Sequence, residues 1–202
     1  MLHKQVIAKI SKSYASYALE RRKLFAASDE ILALSKQAIF ALHRDDAADA
    51  ARLLREARVG LDALAGAIKR HPNLAHEGPF RAALEEYAEA LQFNAFIARK
   101  PMGDLPGMEA EAVLGGLADC VGEIARKAVQ WATERKFKDI QYALASGREI
   151  VSTLIGMNLT GYLRPKLDQA KQGLRRVEDV AYDVSMHRGL HPSDFEKDAF
   201  GD

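Results

Sequence analysis

Apolar residues recur at helical spacing along nearly the whole chain, and strand-like alternation is missing. The pattern predicts a long first helix from about Lys4 to Leu42. Asp45 and Asp46 are placed to cap a second, which runs to about Arg70, where His71-Pro72 stops it. Gly78-Pro79 opens a third, to about Arg99, and PMGDLPG, Pro101 to Gly107, is the clearest loop. A fourth helix is expected over roughly Glu109 to Thr133, a fifth over Phe137 to Leu159 with its stop near Gly161, and a sixth over Arg164 to His187, closed by Gly189. The prediction is an all-α fold, one helical domain over residues 1–190 followed by a short acidic tail, residues 191–202.

Composition narrows the chemistry. Lys and Arg number 29 against 28 Asp and Glu, a formal net charge of +1, so a generally polycationic nucleic-acid binder is excluded while a local basic surface is not. Cys120 stands alone, which rules out an intrachain disulfide and a Cys-rich zinc site, and it is assigned to structure. The six histidines show no paired ligand spacing. No Gly-rich phosphate loop follows a strand, and GxSxG does not occur. Lys4 and Lys9 interrupt the apolar positions of the first ten residues, and no run nears the ~20 apolar residues of a membrane helix. The expectation is a soluble cytoplasmic protein with no membrane partner.

Two carboxylate pairs remain. In LEEYAEALQF, at 100° per residue, Leu84, Tyr87, Ala88 and Leu91 form a core stripe. Glu86 and Glu89 share the opposite side, with Phe93, Phe96 and Ile97 one turn further on. A solvated face does not usually carry such apolar bulk. In GGLADCVGEIARKAV the core stripe is Val113, Leu114, Leu117, Val121, Ile124 and Ala128; Asp119 and Glu123 lie i,i+4 on another side, continued by Arg126 and bordered by Gly115, Gly116 and Gly122. Each helical glycine costs about 1 kcal/mol relative to alanine, and close approach of a backbone or ligand would explain them. Each pair by itself also reads as a charged surface. Together, four carboxylates on consecutive helices would repel and recruit a cation, and all-oxygen ligation suits Mg²⁺, Mn²⁺ or Ca²⁺. Such an ion serves phosphodiester hydrolysis, with Arg126 available to a phosphate oxygen.

Basic residues give a second signal. Arg22, Lys36 and His43, with Asp29 among them, lie seven apart along the first helix, and Arg44 adjoins them. The line reads either as a solvated or inter-subunit face or as phosphate contacts along an RNA strand. Arg164, Lys171 and Arg175 form a line on the last helix, read as surface or oligomer contacts. Tyr87, Phe93, Phe96 and Trp131 are assigned to packing rather than to base stacking.

These residues carry a resemblance. Glu20 to Arg44, ERRKLFAASDEILALSKQAIFALHR, resembles the opening helix of the translin/TRAX family; LEEYAEALQFNAFI and VLGGLADCVGEIAR resemble the TRAX segments with paired glutamates and with an aspartate and a further glutamate; LRRVEDVAYDVSMHRG resembles the closing helix. The order is right across most of the chain. The resemblance implies a bundle of about seven helices assembling into a hollow octamer. It sides with TRAX, the metal-dependent RNA-cleaving member, because Glu86, Glu89, Asp119 and Glu123 are all present. The chain is shorter than eukaryotic TRAX between Pro101 and Glu111, which suits a compact homo-oligomeric relative. The implied function is a Mg²⁺- or Mn²⁺-dependent endoribonuclease for single-stranded RNA. A non-catalytic oligomeric binder of single-stranded RNA or DNA is the alternative.

Overall fold

The computed structural model describes residues 3–187, and the regular elements among them are all helical. The elements are α1 (Lys4–His43), α2 (Ala47–Arg70), a 3-10 turn (Pro72–His76), α3 (Gly78–Ile97), α4 (Ala110–Thr133), α5 (Phe137–Gly156) and α6 (Leu163–His187). The six expected helices are all there, with ends displaced by a few residues at most. The 3-10 turn was not foreseen: Pro72 at its start halts the α-helical ladder but tolerates a tighter turn. The expected acidic tail and the Gly189 stop lie outside the described residues. No described helix is long and apolar enough to cross a membrane.

The chain forms two compact units, Met1–Ala90 and the part from Leu91 onward, with α3 divided between them. In the first unit α1 and α2 make a helical hairpin. Asp45 adopts φ 61°, and the Asp46 amide donates to the Ala41 carbonyl, so the chain reverses over three residues. Asp46 then caps α2, its side chain accepting from the Asp49 amide. Leu24, Ile31, Ala38 and Leu42 of α1 and Ala50, Leu53, Ala57 and Leu64 of α2 are buried. At Gly60 the two helices come so close that a Cβ would lie 2.9 Å from Ile31 Cγ1. Since α1 has 40 residues and α2 only 24, the N-terminal turns of α1 extend unaccompanied, and residues 3–16 are all exposed.

In the second unit α4 packs on both α5 and α6, and α5 packs on α6. Val121, Ile124, Ala128, Ile140, Leu154, Leu167, Ala170 and Val177 fill this core. Phe96 is fully buried among Phe93, Trp131 and Tyr142, with ring centroids 6.0, 5.7 and 4.9 Å away. The assignment of Tyr87, Phe93, Phe96 and Trp131 to packing therefore holds. The loop after α3 is tied back where the Gly103 amide donates to Gln92 Oε1 at 2.8 Å. Cys120 is buried, as a structural cysteine should be.

Candidate functional site

The glutamate pair on α3 belongs to the first unit. Tyr87, Ala88, Glu89 and Ala90 are all buried, so α3 has no wide solvated face here. Glu89 is only 9% exposed, which places a carboxylate on an interior side of the helix, the side that carries Phe93 and Phe96 one turn on. Glu86 is half-buried, and Lys36 Nζ of α1 lies 3.9 Å from its Oε2. One residue of the basic line thus reaches one residue of the carboxylate pair.

The basic line itself divides. Arg22, Asp29, Lys36 and Arg44 are exposed, whereas His43 is 9% exposed. A seven-residue spacing drifts by about 20° per heptad on a straight α-helix. Over the three heptads from Arg22 to His43 the drift carries the imidazole round to the core side.

The second pair, on α4, belongs to the second unit. Asp119 and Glu123 are half-buried one turn apart. Arg126 is largely exposed, and its guanidinium lies 3.9 Å from Glu123 Oε2. Asp119 accepts a hydrogen bond from the ammonium of Lys166 on α6, a partner the sequence reading missed. The signal was present: in Leu163, Lys166, Leu167, Ala170 a lysine occupies a position of the apolar stripe, and such a lysine needs an acidic partner when it packs. Lys127 shows the same signature between Ile124, Ala128 and Trp131 on α4; it is fully buried, its Nζ 5.9 Å from the centroid of the Trp131 ring.

The glycines beside the second pair are only partly explained by close approach. Gly115 and Gly116 are buried, but Gly122 is exposed and a Cβ there would meet nothing within 4 Å. The close approach to α4 comes from Gly173 on α6, where a Cβ would sit 3.2 Å from the Val121 carbonyl oxygen. That contact brings the α6 backbone against α4, on which Asp119 and Glu123 stand.

Glu86, Asp119 and Glu123 each have a basic side chain within 4.0 Å. In neither unit, among the described residues, do three His, Cys, Asp or Glu side chains gather into a group that could hold a metal ion. The donor chemistry still fits a hard divalent cation. Mg²⁺ is commonly held by one or two carboxylates and keeps several of its waters, and Asp119 with Glu123 supplies two carboxylates on one side of one helix.

Comparison with known proteins adds to this geometry. Residues 106–188 match the model of the Translin family, a stretch that includes Asp119, Glu123, Arg126 and Lys166. The chain is similar to the solved structure of an AfC3PO–duplex RNA complex, with a TM-score of 0.84 and 22% identity over 92% of this chain and 99% of that one. A second AfC3PO structure gives a TM-score of 0.84 and 23% identity over 90% and 98% of the two chains, and apo-NeC3PO gives 0.81 and 22% over 92% and 99%. These likenesses establish the all-α fold that this chain shares with them. Among the curated proteins, none matches the chain.

Proposed function

We propose that this chain is a translin-family protein of the TRAX type, a homo-oligomeric endoribonuclease that hydrolyses single-stranded RNA with Mg²⁺ or Mn²⁺. The observation that carries the reading is the placement of the α4 pair. Asp119 and Glu123 stand half-buried on one helix side inside the stretch matched by the Translin family model. The α3 pair, Glu86 and Glu89, is likewise assigned to metal ligation, each pair within its own unit. When bound, the ion supplies Lewis acidity and lowers the pKa of a water.

The chain's own residues do the rest. Arg126 reaches solvent beside Glu123 and can hold a phosphate oxygen as charge develops on it. Arg22, Lys36 and Arg44 are exposed cations on α1 that can track a phosphate backbone, with His43 beneath them at the end of the helix. Burial of Glu89 keeps its carboxylate short of water, which strengthens its attraction to a cation. The site of action is cytoplasmic in this reading, and the subunits assemble near an octamer.

One observation favours the second reading, a non-catalytic binder of single-stranded RNA or DNA: Glu86, Asp119 and Glu123 already face cations of this chain. Replacing Glu89 with Gln separates the two. It keeps size and removes a charge, so Mn²⁺ binding should weaken and cleavage of single-stranded RNA should fall by about a hundredfold or more, the scale of losing one electrostatic partner of a transition state. RNA affinity should change little. The AfC3PO relative is solved with duplex RNA, so a duplex belongs in the same assay; it is expected to resist cutting because its rigid A-form backbone adapts poorly to a recessed site. A folded Glu89→Gln protein that cuts as fast as the parent would remove Glu89 from the site, and a parent that binds RNA and never cuts it would leave the binder reading standing.

A further inference from the structure

The Lys166–Asp119 ion pair joins α6 to α4 with side-chain exposures of only 17% and 22%. One turn along α4, Glu123 is 24% exposed and its basic neighbour Arg126 is 53% exposed, at 3.9 Å. The two carboxylates therefore stand half out of water, and a similarly sheltered ammonium delivered from another helix faces Asp119. Two like charges one turn apart and short of solvent demand a counter-charge. The fold brings one in: Leu163, Leu167 and Ala170 are buried on α6, and Gly173 lets α6 approach the α4 backbone at Val121.

We propose that Lys166 is a built-in counter-cation of the α4 carboxylate pair, which competes with a divalent cation for Asp119, so that metal binds only as the ammonium withdraws. The inference rests on the reading of Asp119 and Glu123 as metal ligands and goes further, because it gives the chain a residue that sets how readily the pair is loaded. A lysine suits this task. Its ammonium is a point charge on a flexible four-carbon stem and can swing away, whereas an arginine fork would lock onto the carboxylate. A resting place is at hand: the Tyr162 ring lies 5.5 Å from Lys166 Nζ and is itself 55% exposed, so the ammonium can move toward a ring face and water. Mg²⁺ and Mn²⁺ accept two carboxylates completed by waters, so the vacated space needs no third protein ligand. Lys166 is thus a positioning residue, acting through Asp119.

The experiment is calorimetric titration of Mn²⁺ into the RNA-free protein. It compares the parent, Lys166→Met, Lys166→Arg and the double variant Lys166→Met with Asp119→Asn. Lys166→Met should bind Mn²⁺ about tenfold more tightly or better, because the competing charge is gone while the stem's packing is kept. Lys166→Arg should bind no more tightly than the parent, and the double variant should lose the gain. Circular dichroism checks the fold, and Lys166→Gln serves in place of the methionine variant if that one does not fold. If the parent binds Mn²⁺ and Lys166→Met binds equally or less well, the counter-cation role is overturned while the metal reading stands. If neither binds, the metal reading of the α4 pair falls and this inference with it. A gain that survives Asp119→Asn also overturns the inference, since the competition would then be for some other group.

Discussion

A three-residue polar clamp in the first unit is made by residues that no local pattern singles out. Glu77 accepts from the Tyr17 hydroxyl at 2.8 Å and takes both prongs of the Arg21 guanidinium, at 2.6 and 2.9 Å. Arg21 first, and Tyr17 second, hold the Glu77 carboxyl below its ordinary 4.5. The same carboxylate pushes the Tyr17 hydroxyl above its ordinary 10.0. The sign follows from linkage. A lowered carboxyl contributes stability above its unfolded value and loses it as pH falls through the folded one; a raised tyrosine contributes below its unfolded value and loses it as pH rises. Between roughly 5 and 9 the clamp is pH-independent. Replacing Glu77 with Gln should therefore lower the melting temperature near neutrality, and the gap to the parent should narrow as pH falls below the ordinary 4.5. Thermal melts across that range check it, and a gap of constant size would mean that shape rather than charge holds the clamp. Partners 56 and 60 residues apart in sequence cannot be paired by reading along the chain, and the same holds for Lys166 with Asp119, 47 apart. What can be read is the anomaly that announces such a pair, a lysine inside an apolar stripe.

Helices were the part most open to reading, because their stops are chemical. Asp46 caps α2, Pro72 ends it, and the turn residues Asp45, Arg99, Arg135 and Asn158 take positive φ where one helix gives way to the next segment. Which side of a helix faces inward was harder. On α3 the Leu84–Leu91 stripe suggests one buried side, yet Glu89 is buried as well, since a helix enclosed on several sides shows no simple amphipathic period. Glycine gave a mixed signal for a related reason: a close approach is set by the partner helix, which local sequence does not name. The contrast is measurable on α4 and α6. Gly122 faces open space, so alanine there should stabilise the protein by about 0.5–1 kcal/mol through helix propensity alone. At Gly173 the added methyl would press on the Val121 backbone, which cannot rotate aside, and should cost about 1 kcal/mol or more. Urea unfolding of the two variants should thus move the midpoint in opposite directions. Stabilisation by both would show that the α4–α6 contact has slack.

At the scale of the whole molecule the surface left over is apolar in a place that a lone subunit does not use. On α1, Val6, Ile7, Ile10 and Tyr14 are 48%, 42%, 57% and 70% exposed, and they follow one another at helical spacing along the unaccompanied turns. Phe40 near the other end is 51% exposed, whereas Phe25 and Leu32 are half-buried, Phe25 beneath the Arg21 guanidinium at 4.3 Å. Scattered exposed apolar residues are ordinary, but a row of them on a helix that extends past its neighbour is the usual mark of a contact between subunits. A formal net charge of +1 offers little long-range repulsion to keep copies apart. We therefore expect a multimer near an octamer by multi-angle light scattering. The row should matter to it: replacing Ile7 and Ile10 together with Glu places two charges in a surface that would otherwise be desolvated, and the scattering mass should drop to smaller species. Both side chains are already exposed in the single chain, so the helix content of the variant by circular dichroism should match the parent. That control separates lost association from lost folding. A parent that stays monomeric at micromolar concentration would remove the assembly altogether; a variant that keeps the full mass would leave the assembly in place and move its contacts elsewhere, to Phe40 or to the last helix.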